Sequence, residues 1–503
     1  MARHLSENDS QRLGSALYPM PVTLCLLFSS FLLAVALRRL FLEEGAGTLL
    51  LLVCAGMVVF VGLWVLLVRL IESHPARFGV RLTKMAMLAA LLVQLLVVWG
   101  LQVTSLLDLS WIVKQCEQCL SVGVATFDIK SYFGLYPNNV PLCIIIYWLA
   151  RGARYLGVTD ILIVGGLANV AMLQVAYHAF FATLRLYTDD RSASCTTLFL
   201  LMNPLFYVYA SYFYTDTMSL GPLLLGTYCA ARCLRGEKSL RFALFAGLSG
   251  VMFALAYLIR ATSIFLPAGL FVVLVARRDW KTLGRAVVPF LVGGALLVSG
   301  ERALYAYHMP YDTTDSAAPI THWLMLGANG ETNGRYSRSE ILFTLSFPTH
   351  QEKVDATTRV FLERVRGRSL PQNIELVAHK EAWTWAGWDK SYHPSTYDVR
   401  RQGLVWELVH GGLSAPLHLY MRIYNVALIA SLVLSLALAL RLRSDGISIL
   451  CMFWLFGVAF FALWESHDRY SISFFFPLTM LLAPMFVRCT APRVMAAKAD
   501  AIE

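Results

Sequence analysis

The amino-acid sequence predicts an all-α polytopic membrane protein, and three observations carry that prediction. Hydrophobic residues fill 57% of the 503 positions and charged residues only 15%. Uninterrupted apolar runs recur along the chain and reach the roughly 20 residues a helix needs to cross a bilayer's hydrocarbon core. Lysine and arginine gather in a subset of the connecting loops, the pattern that orients spans in a membrane.

Taken in order, the runs at about 19–40, 47–71, 83–106, 159–183, 194–212, 217–234, 240–259, 262–277, 285–305, 417–441, 446–464 and 469–488 read as spans, a bundle of about 12. The loops RLIESHPARFGVRLTK, RLYTDDR, RCLRGEKSLR, ARRDWKTLGR and RLRSDG, with the tail RCTAPRVMAAK, hold the basic excess and read as cytoplasmic. Both termini are then inside. Three regions face outward: the loop after Asp108, a short turn at Asp216 and the long polar segment 306–416. The opening residues carry acids and no small-residue cleavage site behind a short apolar core, so the first span is expected to be retained.

Residues 140–150, VPLCIIIYWLA, are apolar but too short to cross. Counting them as a span would put Asp108 and Asp216 on opposite sides, so they are expected to form a helix lying at the outer leaflet. The chain divides accordingly: two additional N-terminal spans in 1–82, a core in 83–305 with an outer loop at 106–158, an extracytoplasmic cap in 306–416, and three spans with a cytoplasmic tail in 417–503.

A net charge of +10 follows from this orientation pattern and requires no nucleic-acid partner. Most of the ten cysteines are scattered through apolar segments, but Cys116 and Cys119 form a CxxC pair in the loop after Asp108. No second CxxC or histidine pair completes a metal cage, which leaves a disulfide or two free thiols. The spans carry little charge, against an ion pump, and no pair of broken helices marks corresponding halves, against a secondary transporter. Long, asymmetric outer loops instead place chemistry at the outer surface. Asp108 ends a span and opens an aromatic-rich loop, the position suited to the base of a membrane transferase.

The segment 306–416 contains THWLMLGANGETNGRYS and a charged stretch in which Val360, Phe361 and Val365 recur at helical spacing. It reads as a small cap on the membrane. Trp383, Trp385 and Trp388 would be its interface anchors, stacking walls for a sugar, or both.

Several motifs then occur in a telling order. Asp108 opens the first large outer loop; YPNN, Tyr136 to Asn139, follows and leads into VPLCIIIYWLARGARYLG. Asp216 lies in the outer turn NPLFYVYASYFYTD, and WESHDRYSISFFFP supplies Glu465, Arg469, Tyr470 and Pro477 near the end. This order resembles the GT-C glycosyltransferase superfamily, most of all the branch with the protein O-mannosyltransferases and the bacterial lipid A aminoarabinose transferase, over most of 83–490. Tyr-Pro-Asn-Asn replaces that branch's Tyr-Pro-Pro, which suits a bacterial cell-envelope member, and two extra spans precede the one ending at Asp108.

The resemblance implies a GT-C type bundle that transfers a hexosyl or pentosyl group from a polyprenyl-phosphate donor to a cell-envelope polysaccharide or glycolipid, with inversion. A hydroxyl nucleophile needs a general base, the role expected of Asp108, with Asp216 sharing or orienting it. The departing lipid phosphate needs fixed positive charge, for which arginine's fork of donors is suited; Arg260, Arg302 and Arg469, with His467, are the candidates. Tyr136, Asn138, Asn139, His322, Trp323 and Glu465 are candidates for sugar or acceptor contact. A lipid monophosphate lacks the diphosphate that recruits a divalent cation, so neither metal nor cofactor is expected.

Each candidate has a plainer role: Asp108 as a solvated helix-end carboxylate, Arg260 and Arg469 as side chains reaching lipid head groups, Asn138 and Asn139 as caps of the short helix, His322 and Trp323 as packing within the cap. Two other functions compete, a flippase of lipid-linked saccharides and a non-enzymatic envelope assembly subunit.

Overall fold

A computed structural model describes residues 18–42, 46–73, 78–104, 107–128, 132–235, 240–441 and 444–486. The N-terminal residues, the tail after 486 and parts of several connecting loops lie outside the described residues, and with them the segments on which the expected cytoplasmic placement of both termini depends.

The protein is an all-helical membrane protein. Among the described residues, eight helices are long and apolar enough to span: Pro19–Leu42, Gly47–Ser73, Val80–Leu101, Ile161–Tyr187, Leu240–Ile259, Trp280–His308, Ala415–Ala439 and Asp445–Leu463. A ninth arises if Asp190–Leu201 and Leu205–Ser211 count as one, bent by 60° at its break. Asn203 and Pro204 sit in that break, where proline cannot continue the helical ladder, and Asn203 Oδ1 accepts from the Leu205 amide instead.

Three other expected spans take shorter forms. Residues 217–234 become Leu220–Arg235, 16 residues enclosed in the bundle. Residues 262–277 become a 3₁₀ turn, Ala261–Ile264, leading into Phe265–Ala276. Residues 469–488 break into Asp468–Phe474, Phe475–Met480 and Ala483–Met485. Irregular backbone is tolerated at membrane depth only where protein encloses it, and this last segment is almost wholly buried. Asn169, buried in the span 161–187, serves another such stretch by donating to the carbonyls of Tyr209 and Ala210 at 2.8 and 3.1 Å.

The two N-terminal spans differ in use. Pro19–Leu42 packs against Ala415–Ala439, Asp445–Leu463 and the cap, and Arg39 at its end donates to the Ala386 carbonyl and pairs with Asp389. The second span is peripheral, touching the core through Phe60 and Trp64 against Phe199.

The helix Val140–Arg154 buries one face, Val140, Ile144 and Tyr147 among it, against the helices Asp108–Val122 and Ile161–Tyr187. Its end returns to its neighbour's end, where Arg154 Nη1 donates to the Leu120 carbonyl at 2.7 Å.

The cap consists of Ile320–Gly327, Arg338–Leu345, His350–Arg366 and Leu370–Ala386 with shorter turns. Buried Lys380 docks it, donating to the Gly327 carbonyl at 2.9 Å and to the Ala462 carbonyl, in the last turn of a span, at 2.8 Å. Trp385 and Trp388 are 3% and 0% exposed, packed against Trp454, Tyr424, Phe474 and Phe475. They are therefore core residues rather than interface anchors or sugar walls, because the helix carrying them turns inward at the cap's base. Trp383 is half-buried with the Arg335 guanidinium 3.9 Å above its ring.

Candidate active site

The span ending at Leu101 stops on Gln102, which takes a left-handed backbone, φ 47°. The chain then pairs with the cap's tail, through Thr104 N to Asp398 O at 3.0 Å and Arg400 N to Gln102 O at 3.1 Å. From this fixed exit a new helix begins with Asp108 in its first turn, where the helix's positive end favours a negative side chain.

Asp108 is one end of a chain of alternating charges. Its Oδ2 accepts from Arg469 Nη2 at 3.1 Å. Arg469 Nε lies 3.1 Å from Asp216 Oδ2, and Asp216 Oδ1 lies 2.5 Å from Arg260 Nη1. Two carboxylates and two guanidiniums thus balance one another. Such a buried set is tolerable only with every charge paired.

The four residues come from four segments: the helix after the third span, the turn Thr215–Met218, the junction after Ile259, and the 3₁₀ turn Asp468–Phe474. Asp108 is the open end of the chain: its side chain is 36% exposed, against 5% for Arg469, 0% for Asp216 and 10% for Arg260.

Both arginines have further partners. Arg469 Nη1 donates to the Tyr212 hydroxyl at 2.6 Å. Arg260 donates to Ser473 Oγ at 3.1 Å, the Tyr470 carbonyl at 3.2 Å and Thr215 Oγ1 at 3.3 Å. All three Arg260 nitrogens donate hydrogen bonds, whereas Arg469 donates through Nη1 and Nη2 and holds its Nε against Asp216 as an ion pair without a hydrogen bond. Arg302, by contrast, is exposed on Trp280–His308 and outside this cluster.

The remaining candidates fall at varied places. Asn139 precedes the helix Val140–Arg154 but makes no side-chain cap. Its amide instead bridges two tyrosines, donating to the Tyr132 hydroxyl at 2.5 Å and accepting from the Tyr214 hydroxyl at 3.1 Å. Asn138 is exposed and lies against Asn139 at 3.4 Å, again without capping. Tyr136 meets Trp323 with ring centroids 5.7 Å apart.

Glu465 is buried and accepts from the Tyr470 hydroxyl at 2.9 Å; burial raises its carboxyl above the ordinary range, opposed by neighbouring His467. His467 pairs with Asp468 at 2.8 Å. His322 is buried in the cap, 2.7 Å from Thr344 Oγ1, and burial pushes it down to about 4, so it is neutral.

Cys116 and Cys119 are both free and buried. Cys116 Sγ lies 3.8 Å from Cys143 Sγ on the next helix, whereas Cys119 lies 3.4 Å from Gln115 Nε2. The CxxC pair is thus two separate packing thiols. Among the described residues, no three His, Cys, Asp or Glu side chains converge as a metal site.

A family model described as "Conserved hypothetical integral membrane protein" matches residues 17–490. The chain belongs to this family. No curated protein matches it significantly. Among solved structures, the archaeal oligosaccharyltransferase AglB from Archaeoglobus fulgidus, in complex with an inhibitory peptide and a dolichol-phosphate, is similar at 13% identity and a TM-score of 0.46. That match covers 84% of this chain and 52% of the other, so the chain spans about half the length of that protein.

Sequence reasoning missed the tyrosines that hold this family member's charged cluster together. Tyr212 and Tyr214 flank Asp216 in the motif already singled out, and the Arg469 guanidinium carbon lies 4.9 Å from the centre of the Tyr214 ring. Their density beside an acidic residue was the available signal.

Proposed function

We propose that the protein is a glycosyltransferase that moves a sugar from a polyprenyl-phosphate donor to a cell-envelope polysaccharide or glycolipid at the outer face of the membrane, inverting the anomeric centre, with Asp108 as general base. The observation that carries this reading is the charged chain Asp108–Arg469–Asp216–Arg260, open at Asp108 alone. One carboxylate is open to an incoming hydroxyl, and the charges that orient it are sealed behind it.

The step balances as follows. The acceptor oxygen attacks the anomeric carbon as its proton passes to Asp108. The bond from that carbon to the phosphate oxygen breaks, and the lipid phosphate leaves with the bonding electrons. Protonated Asp108 no longer neutralises Arg469, so the cluster gains one positive charge as the phosphate gains a negative one. In a partly water-excluded site such compensation stabilises the transition state strongly.

This account changes the part expected of the arginines. With its donors already engaged, Arg469 is a positioning residue for Asp108 and a source of field, and Arg260 acts through Asp216. His467, half-buried beside them, remains the proposed direct contact to the phosphate, and Arg302, outside the cluster, is assigned no part in it.

The test is Asp108→Asn, which keeps the volume and removes the proton acceptor. Transfer from a polyprenyl-phosphate sugar should fall by about 100-fold or more per folded molecule, with melting curves measured alongside to count the folded fraction. Near-normal turnover by the purified variant would overturn the assignment.

A further inference from the structure

Beside Asp108 runs a strip of aromatic side chains that proton transfer does not itself require. Trp111 lies one turn after Asp108 on the same helix, and its ring stacks on Tyr132 with centroids 5.8 Å apart and planes within 4° of parallel. Tyr132 meets Tyr136 at 4.9 Å, and Tyr136 meets Trp323 of the cap at 5.7 Å. Trp323 in turn stacks on Trp464 at 5.8 Å and 21°. Rings from four separate stretches of sequence therefore form one path from Asp108's helix to the cap.

This strip is unlike the packing tryptophans of the core. Trp111 is 42% exposed, and the other four rings are only half-buried. It is also unlike a belt of interface anchors, which would ring the bundle at one depth. The strip links the two elements that flank the reacting carboxylate. Asn139 fixes Tyr132 within it, and the same Asn139 holds Tyr214 beside Arg469, so the rings and the charged cluster share one set of supports.

The steps at Tyr132–Tyr136 and Tyr136–Trp323 are tilted by 57° and 38°, and Lys114 Nζ lies 5.3 Å from the centre of the Trp111 ring. The strip therefore offers a series of separate, partly exposed aromatic surfaces with polar groups at their edges, each able to meet the C–H face of one sugar. Each step between rings is comparable with the length of one sugar residue, and the strip is several rings long. A single sugar on a lipid would leave most of it unused.

We propose that this strip is an acceptor track and that the acceptor is a glycan of several sugar residues. The terminal sugar lies at Trp111 and Tyr132 with its hydroxyl at Asp108, and the preceding residues run past Tyr136 to Trp323. The proposal rests on the reading of Asp108 as a transferase base, and it narrows the acceptor from polysaccharide or glycolipid to a polymer recognised over more than its last unit.

The experiment measures binding of two probe series, α-linked manno-oligosaccharides and α-linked arabinofuranosyl oligosaccharides from monosaccharide to hexasaccharide, to the solubilised full chain by calorimetry. Affinity should rise about tenfold or more with length in at least one series. Trp323→Ala should abolish the gain from the longer members and lower their affinity far more than that of the shortest. Trp111→Ala should weaken every length, and Trp111→Phe should restore most of the binding. Melting temperatures measured alongside separate these effects from loss of fold.

Affinity independent of length in both series, or a gain that survives Trp323→Ala in a folded variant, overturns the track and leaves the base untouched. Asp108→Asn distinguishes the two readings. Length-dependent binding together with full transfer activity in that variant would remove the base while supporting the track.

Discussion

Asp108 and Arg469 lie 361 positions apart in the sequence and meet at 3.1 Å. The contact joins the helix Asp108–Val122 to the irregular segment that begins at Asp468. It also makes the reactivity of Asp108 depend on residues no acceptor touches.

The first prediction concerns those residues. Removing one member of a buried charged set strands its partner at a cost of about 3–5 kcal/mol. Asp216→Asn, which leaves Arg260 and Arg469 without their shared counter-charge, should therefore lower the melting temperature sharply. Adding Arg260→Gln should recover part of the loss. Arg469→Lys keeps the charge but not the fork, so it should impair transfer less than Arg469→Ala does. Melting curves and single-turnover rates check both expectations, and additive effects of Asp216→Asn and Arg260→Gln would contradict the coupling.

Topology can be tested at two exposed positions. The contact between Arg154 and the Leu120 carbonyl brings the ends of two short helices together, so the two ends should be reached from the same side of the membrane. Single cysteines replacing Ser121 and Arg154 should both react with a membrane-impermeant reagent applied outside. Reaction of only one would mean that the short helix crosses.

Docking of the cap depends on a close approach. A Cβ on Gly327 would meet the backbone carbonyls of Leu463 and Trp464. Gly327→Ala should cost about 1–3 kcal/mol, as overpacking does, and should speed protease cleavage within 306–416. Gly284→Ala, where a Cβ meets nothing within 4 Å, should be neutral or slightly stabilising in its helix.

Glu381 gives a pH signature. Burial pushes its carboxyl up to about 8, above its value in the unfolded chain. Its stabilising contribution is thus fully present below the ordinary carboxylate range and is lost as pH rises through about 8. Lys380, pulled down to about 8 by burial, works in the separate window above that, losing its contribution as pH falls toward 8. Glu381→Gln should therefore flatten the decline in melting temperature between acid pH and about 8. An unchanged slope would show that Glu381 is not the group responsible.

The sequence was most legible where a residue's role depends on its neighbours along the chain. Long apolar runs announced the eight spans, and the motifs around Asp108, Asp216 and Arg469 converge in space although they were read separately. What stayed hidden depends on enclosure. Residues 469–488 are apolar enough to resemble a span, yet their polar interruptions at Ser471 and Ser473 are buried beside Arg260, and no local pattern shows that other helices will surround them. Trp385 and Trp388 were misread for the same reason, since an aromatic at a membrane surface and one in a core look alike in sequence. Asn139 had every mark of a helix cap, and only the distant Tyr214 reveals its actual partner.

Lys380 spans the joint between cap and membrane bundle with its ammonium sealed between two carbonyls. Tilting the cap away would break the bond to the Ala462 carbonyl and part Gly327 from the Leu463 and Trp464 backbone it lies against, so the joint is held by close contact and behaves as the fixed jaw of a caliper. The gap between Trp323 and Asp108 is then a preset gauge, and a molecule entering it is sorted by its own reach rather than by a jaw closing on it.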